Sequence, residues 1–169
     1  GLCSGYCIVT CFFFAMTFWF CHNFEATAMA IIAIGALIPF FLHNVFGKKS
    51  KMFMGDGGSL LMGITMSVFV VELLNDRTDF FVRYCPDLGV VPLALALLSI
   101  PVFDTLRVMI MRIVRGRSPF SPDKTHLHHL FLDYNFSHIG TTVSVIGLNV
   151  LVILSWALAY YLGASIEMQ

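Results

Sequence analysis

The sequence predicts an all-α, polytopic transmembrane bundle with about five spans, and three observations predict it. Apolar residues make up 58% of the 169 and charged residues only 12%, with a mean hydropathy of +0.84. A water-soluble domain carries about half and about a quarter, so composition excludes that class. The apolar residues also gather in stretches close to the ~20 that a helix needs to cross the hydrocarbon layer. Finally, eight of the ten basic residues lie in two connections or at their edge: Lys48, Lys49, Lys51, Arg107, Arg112, Arg115, Arg117 and Lys124. An excess of Lys and Arg marks the cytoplasmic face, so both connections are expected on that one surface, with the N-terminus inside and the C-terminus outside.

The first span is read as Leu2 to Cys21. It lacks the leader and cleavage pattern of a signal peptide, and the chain opens at Gly1 rather than at a methionine, so a piece of a longer protein is expected. Five cysteines form no disulfide framework, and Cys3, Cys7 and Cys11, four residues apart, are read as small residues packing against a neighbouring helix rather than as a metal site. The turn from His22 to Glu25 is external and carries no expected chemistry. The second span, Ala26 to Leu42, ends just before His43 and Asn44, either of which could contact a headgroup or cap the helix at the membrane surface.

The stretch from Lys51 to Gly63, KMFMGDGGSLLMG, sets a single carboxylate, Asp56, in a basic, glycine-rich loop that runs directly into the third span, Gly57 to Leu74. Gly55, Gly57 and Gly58 can adopt backbone angles closed to other residues and let a phosphate approach the main chain, while Ser59 can cap the following helix. A helix N-terminus beside a carboxylate suits a diphosphate held through a divalent cation. The alternative is a tight turn at the membrane surface.

After an interfacial external connection from Asn75 to Asp87, the fourth span, Leu88 to Met111, contains Pro101 and Asp104. Proline frees a backbone carbonyl and kinks a helix, and a carboxylate within a span faces a partner or a wet cavity. Counted along a straight rod from Leu88 at ~1.5 Å per residue, Asp104 lies about 24 Å in, near the cytoplasmic side and the cleft of Asp56. It either serves that cleft or pairs with Arg107, three residues on.

The second basic connection, Arg112 to His138, contains RIVRGRSPFSPDKTHLHHL. Ser121, Pro122 and Asp123 read as a helix start, which places His126, His128 and His129 early in a short helix. No cysteine or carboxylate set completes a zinc site. Arg112, Arg115, Arg117 and Lys124 around the histidines favour anion binding, whereas a basic anchor on anionic lipids accounts for the arginines but poorly for three clustered histidines. The fifth span is read as Ile139 to Leu162.

Three separated motifs, KMFMGDGGS from Lys51 to Ser59, IPVFDT from Ile100 to Thr105 and SPFSPDKTHLHHL from Ser118 to Leu130, resemble the polyprenyl-phosphate N-acetylhexosamine-1-phosphate transferases, most closely the bacterial undecaprenyl-phosphate N-acetylglucosaminyl branch. Gly1 to Gly5 resembles the tail of a further family motif. The resemblance implies a ten-span protein whose last five spans form one transmembrane domain over residues 1–169, with active-site loops at 43–59 and 112–138.

It also implies a multi-pass enzyme of the bacterial inner membrane, acting on a UDP-N-acetylhexosamine and undecaprenyl phosphate with Mg2+, or Mn2+ in its place. Membrane lipid is an expected partner, a homodimer is compatible, and no nucleic acid is expected. By motif match Asp56 would hold or orient the metal-bound diphosphate, and His126, His128, His129 and Arg117 would bind donor phosphate or sugar. Asn44, Lys51, Gly57, Ser59 and Asp104 fall at matching positions around the substrates.

The family's paired aspartates would lie upstream of Gly1. The muramoyl-pentapeptide branch is the alternative, disfavoured because Leu127 interrupts its run of three histidines. A transporter half would place its polar residues near the midplane, and a lipid anchor would leave Gly55 to Ser59 unexplained.

Overall fold

The computed structural model describes residues 2–47, 52, 54–75, 90–119 and 138–162, with the backbone alone at 56, 138 and 139. Every regular element among the described residues is an α-helix: α1 (Leu2–Phe20), α2 (Phe24–Phe46), α3 (Gly55–Asn75), α4 (Val90–Leu97), α5 (Ser99–Val114) and α6 (His138–Tyr161). That outcome follows from the solvent, because a lipid interior offers no partners for N–H and C=O groups and a helix pairs them within itself. Among the described residues four helices are long and apolar enough to cross a membrane, and α4 with α5 makes a fifth when the bent pair is counted as one span. The polytopic bundle expected from composition is therefore present.

The bundle is built on α1. Half of its apolar window is buried, against 17–22% for the other long spans. It packs along α2 and also touches α3 and α6, while α4 bridges α3 and α6. The core centres on Phe14 and Phe18 of α1 and Phe69 of α3, with ring centroids 5.5 to 5.9 Å apart. At Gly5, three helices meet. A Cβ there would lie 2.8 Å from the Phe41 ring of α2 and 3.0 Å from Ile146 of α6, so any larger residue would have to push these side chains aside. Cys7 and Cys11 are buried in the core, as their reading as packing residues expects, whereas Cys3 is exposed.

Three hydroxyls within the spans are satisfied locally. Thr17, Thr65 and Ser67 each donate to the carbonyl four residues earlier, which spares an unpaired donor in an apolar setting.

The turn between α1 and α2 is more specified than its bland sequence suggests. His22 takes a left-handed conformation, φ 58°, and its N–H and that of Asn23 bond the carbonyls of Trp19 and Phe18. This double bond pattern closes the helix end, with histidine where glycine is usual. Asn23 then uses both ends of its amide: Oδ1 accepts from the Ala26 N–H to cap α2, and Nδ2 donates to Glu72 of α3 at 3.0 Å. A carboxylate near the end of an apolar helix thus locks α3 to the turn.

Two boundaries differ from expectation. α2 runs on through His43 and Asn44 to Phe46, and α3 starts at Gly55, so the first basic connection is 47–54 rather than 43–59. The fourth span is divided at Leu98, with its two halves bent by 69°. A straight-rod depth therefore does not apply to Asp104, which lies in the second turn of α5. The connection after Asn75, expected to be external, falls outside the described residues, as does the helix start expected at Ser121.

Candidate active site

The first turn of α3 is set by Gly55. Its φ of +69° lies in the left-handed region, where a side chain costs about 1–2 kcal/mol. The conformation turns the incoming chain into the helix, so Asp56 is the second helical residue and Gly57 the third. The glycines differ in why they are there. A Cβ on Gly58 would meet Met54 Cγ at 2.8 Å, so this glycine permits a close approach. One on Gly57 would meet nothing within 4 Å, and the residue is exposed and helical.

The unusual backbone angle expected at all three therefore belongs to Gly55. The cap expected of Ser59 is likewise displaced, because the helix begins four residues before it and Ser59 sits in the second turn. What remains at the surface is a helix start with several N–H groups lacking an intrahelical acceptor, a favourable dipole and open space beside Gly57.

Asn44 in the last turn of α2 is buried, and its Nδ2 donates to the carbonyl of Phe40 at 3.1 Å. The Gly47 N–H bonds the carbonyl of His43, whose side chain is exposed. The amide of Asn44 thus serves the backbone of its own helix end.

On α5, Arg107 donates to Asp104 Oδ1 at 2.8 Å, with the Asp104 side chain 16% exposed and that of Arg107 35%. Of the two readings of Asp104, the ion pair is formed. It places a guanidinium one turn away from a carboxylate that sits within the helix.

The end of α5 is closed by Gly116, at φ +68°. Its N–H bonds the carbonyl of Ile113, and the Arg117 N–H bonds that of Arg112. The Arg112 guanidinium then donates to the carbonyl of Pro119, folding the start of the basic segment back on the helix. This leaves Arg115 and Arg117 exposed beside the negative end of the helix dipole, a fixed cationic edge. The signal for it was legible as a glycine between basic residues at the end of an apolar run.

With α4 and α5 counted as one span, α2 and α5 end on the same side, so this edge and the start of α3 share one end of the bundle. Lys51, His126, His128 and His129 lie outside the described residues, as does the Asp56 side chain. Among the described residues no three His, Cys, Asp or Glu side chains form a metal-binding group.

Residues 1–74 match the model of glycosyl transferase family 4. The chain is 31% identical over 140 residues to the undecaprenyl-phosphate alpha-N-acetylglucosaminyl 1-phosphate transferase of Escherichia coli strain K12, covering 81% of this chain and 36% of that protein. Over 122 residues it is 34% identical to the decaprenyl-phosphate N-acetylglucosaminephosphotransferase of Mycolicibacterium smegmatis, covering 68% of this chain and 29% of the relative. The chain thus spans about a third of the length of these relatives. No solved structure matches it. The family match holds α1, α2 and the Gly55 to Gly58 turn of α3, and the relatives extend the likeness to most of the remaining chain: the protein belongs to glycosyl transferase family 4.

Proposed function

We propose that the full-length protein transfers N-acetylglucosamine 1-phosphate from UDP-N-acetylglucosamine to undecaprenyl phosphate, releasing UMP, as the first membrane step in building a cell-surface polysaccharide. The observation that carries this reading is the start of α3, where Gly55 turns the chain so that Asp56 falls in the first helical turn beside the open space at Gly57. The names of the relatives supply the acceptor and sugar classes, and the full length of those proteins is about three times what is aligned.

A phosphate oxygen of the lipid attacks the sugar-linked phosphorus of the donor. The bond from that phosphorus to the oxygen bridging to the uridine-linked phosphate breaks, and UMP leaves with the electron pair. Such a transfer is chiefly positioning and charge neutralisation. A phosphate monoester, with a second pKa near 6, is already largely dianionic at neutral pH, so no strong base is required of Asp56.

A magnesium ion is bound by one or two carboxylates together with substrate phosphates, and the single carboxylate Asp56 at a helix N-terminus fits that donor set. When bound, the ion would neutralise charge on the diphosphate. The N–H groups at the start of α3 would face one phosphate, and Arg117, with His126, His128 and His129, would hold the donor from the other connection. Exposed Leu60, Leu61 and Ile64 follow on α3, so an isoprenoid tail could stay in the apolar layer while its phosphate reaches the turn. Both connections would face the cytoplasm across the bacterial inner membrane.

The test is a donor comparison with the full-length protein in proteoliposomes containing undecaprenyl phosphate. UMP release with UDP-N-acetylglucosamine and none with UDP-N-acetylmuramoyl-pentapeptide supports the proposal. The reverse preference would assign the protein to the other branch, and release with neither donor would overturn the transferase reading.

A further inference from the structure

The bend in the fourth span has a specific chemical cause and a specific partner. Pro101 has no N–H, so in an unbroken helix the carbonyl four residues earlier, that of Leu97, would lack an acceptor's partner in a region without water. Leu97 is the last residue of α4, and its carbonyl accepts a hydrogen bond from the Tyr6 hydroxyl of α1 at 2.6 Å, across 91 residues of sequence. Tyr6 and Leu97 are both buried. The backbone resumes its ladder on either side: the Leu98 N–H bonds Ala94, and the Val102 N–H bonds Leu98. A second cross-helix bond brackets the break, from the Ser99 hydroxyl at the start of α5 to Asn149 Oδ1 of α6 at 3.1 Å, and Asn149 is wholly buried. Pro39 sits inside α2 without dividing it.

We infer that Tyr6 is a positioning residue: its hydroxyl holds the 69° bend at Leu98, and through that bend it sets where α5 carries the Asp104–Arg107 pair and the Arg112 to Arg117 edge relative to the start of α3. Tyr6 touches no reacting group. It acts through the buried backbone of Leu97 and fixes a joint from which the whole basic segment departs. The inference rests, for its consequence, on the transferase reading, whereas the latch itself does not.

The experiment uses the full-length protein in proteoliposomes, with nitroxide side chains at Val91 of α4 and Val114 of α5, both exposed. Tyr6→Phe, which keeps the ring and removes the hydroxyl, is expected to broaden the distance distribution between the two labels. It is also expected to raise the donor KM severalfold and at most about tenfold, the scale of the net contribution of one hydrogen bond, with a smaller effect on kcat.

Pro101→Ala restores an N–H able to bond Leu97 on its own. Adding Tyr6→Phe to Pro101→Ala is therefore expected to change nothing further, a non-additivity that a mere packing role for the ring would not produce. An unchanged distance distribution in Tyr6→Phe, or equal effects of that change in both backgrounds, would overturn the latch. A broadened distribution with an unaltered donor KM would overturn the positioning role. Absence of turnover in the unsubstituted protein would count against the transferase reading instead, and the label distances would still decide the latch.

Discussion

Gly55 and Gly57 lie two residues apart, flank Asp56 and make opposite demands on an added methyl group. At Gly55 a Cβ would meet nothing within 4 Å, so the whole cost of Gly55→Ala is conformational, about 1–2 kcal/mol for holding an L-residue at φ +69°. The methyl at Gly57 also meets open space, but there the backbone is helical, and alanine is favoured over glycine by about 0.8–1 kcal/mol. Folding alone therefore predicts that Gly55→Ala lowers the thermal midpoint of the detergent-solubilised full-length protein and that Gly57→Ala leaves it level or raises it.

Activity is expected to separate from stability at Gly57. If a donor phosphate approaches the main chain there, the added methyl occupies that space, and UMP release should fall at least tenfold while the midpoint does not fall. A Gly57→Ala protein that is both as stable and as active as the parent would refute the phosphate approach at this turn. A Gly55→Ala protein with an unchanged midpoint would refute the backbone reading of the turn itself.

Two further outcomes are expected elsewhere in the molecule. Gly5→Ala should cost about 1–3 kcal/mol in thermal or denaturant unfolding, because its methyl would lie 2.8 Å from the Phe41 ring and 3.0 Å from Ile146 where α1, α2 and α6 converge. In the second basic segment His129→Ala should weaken donor binding or turnover without altering membrane association, which the apolar spans dominate. Arg115→Ala, on an exposed edge where one basic residue contributes about 1 kcal/mol toward anionic lipid, should do little. UMP release against donor concentration for the pair separates a binding segment from a lipid anchor.

The spans were legible because run length against bilayer thickness is a crude and therefore robust signal, one that survives ignorance of packing. α1, α3 and α6 lie within two residues of their expected ends, and α2 overruns because His43 and Asn44 are polar yet still helical. Pro101 announced a disruption in the fourth span. Its location at Leu98 and its partner Tyr6 were not legible, because a hydrogen bond between residues 91 apart is decided by how α1 sits against α4.

The Glu72 to Asn23 bond was missed for the same reason, although an acid near the end of an apolar helix was a signal to follow. In the glycine-rich turn, composition marked the right stretch but could not tell which glycine takes the left-handed conformation. That choice depends on where the helix begins, and an early start at Gly55 removed Ser59 from the cap position. Asp104 was left between two roles by sequence spacing, and the 2.8 Å contact with Arg107 shows the pair.

The measurement closest to the proposed reaction is formation of radiolabelled undecaprenyl-diphosphate-sugar by the full-length protein with Asp56 changed to Asn. Asparagine keeps the size and removes the charge that would hold a divalent cation at the start of α3. Magnesium-dependent product formation should be lost, with membrane insertion and thermal midpoint retained. Near-normal turnover by Asp56→Asn in a correctly inserted protein would contradict the assignment of the α3 turn as the reaction site.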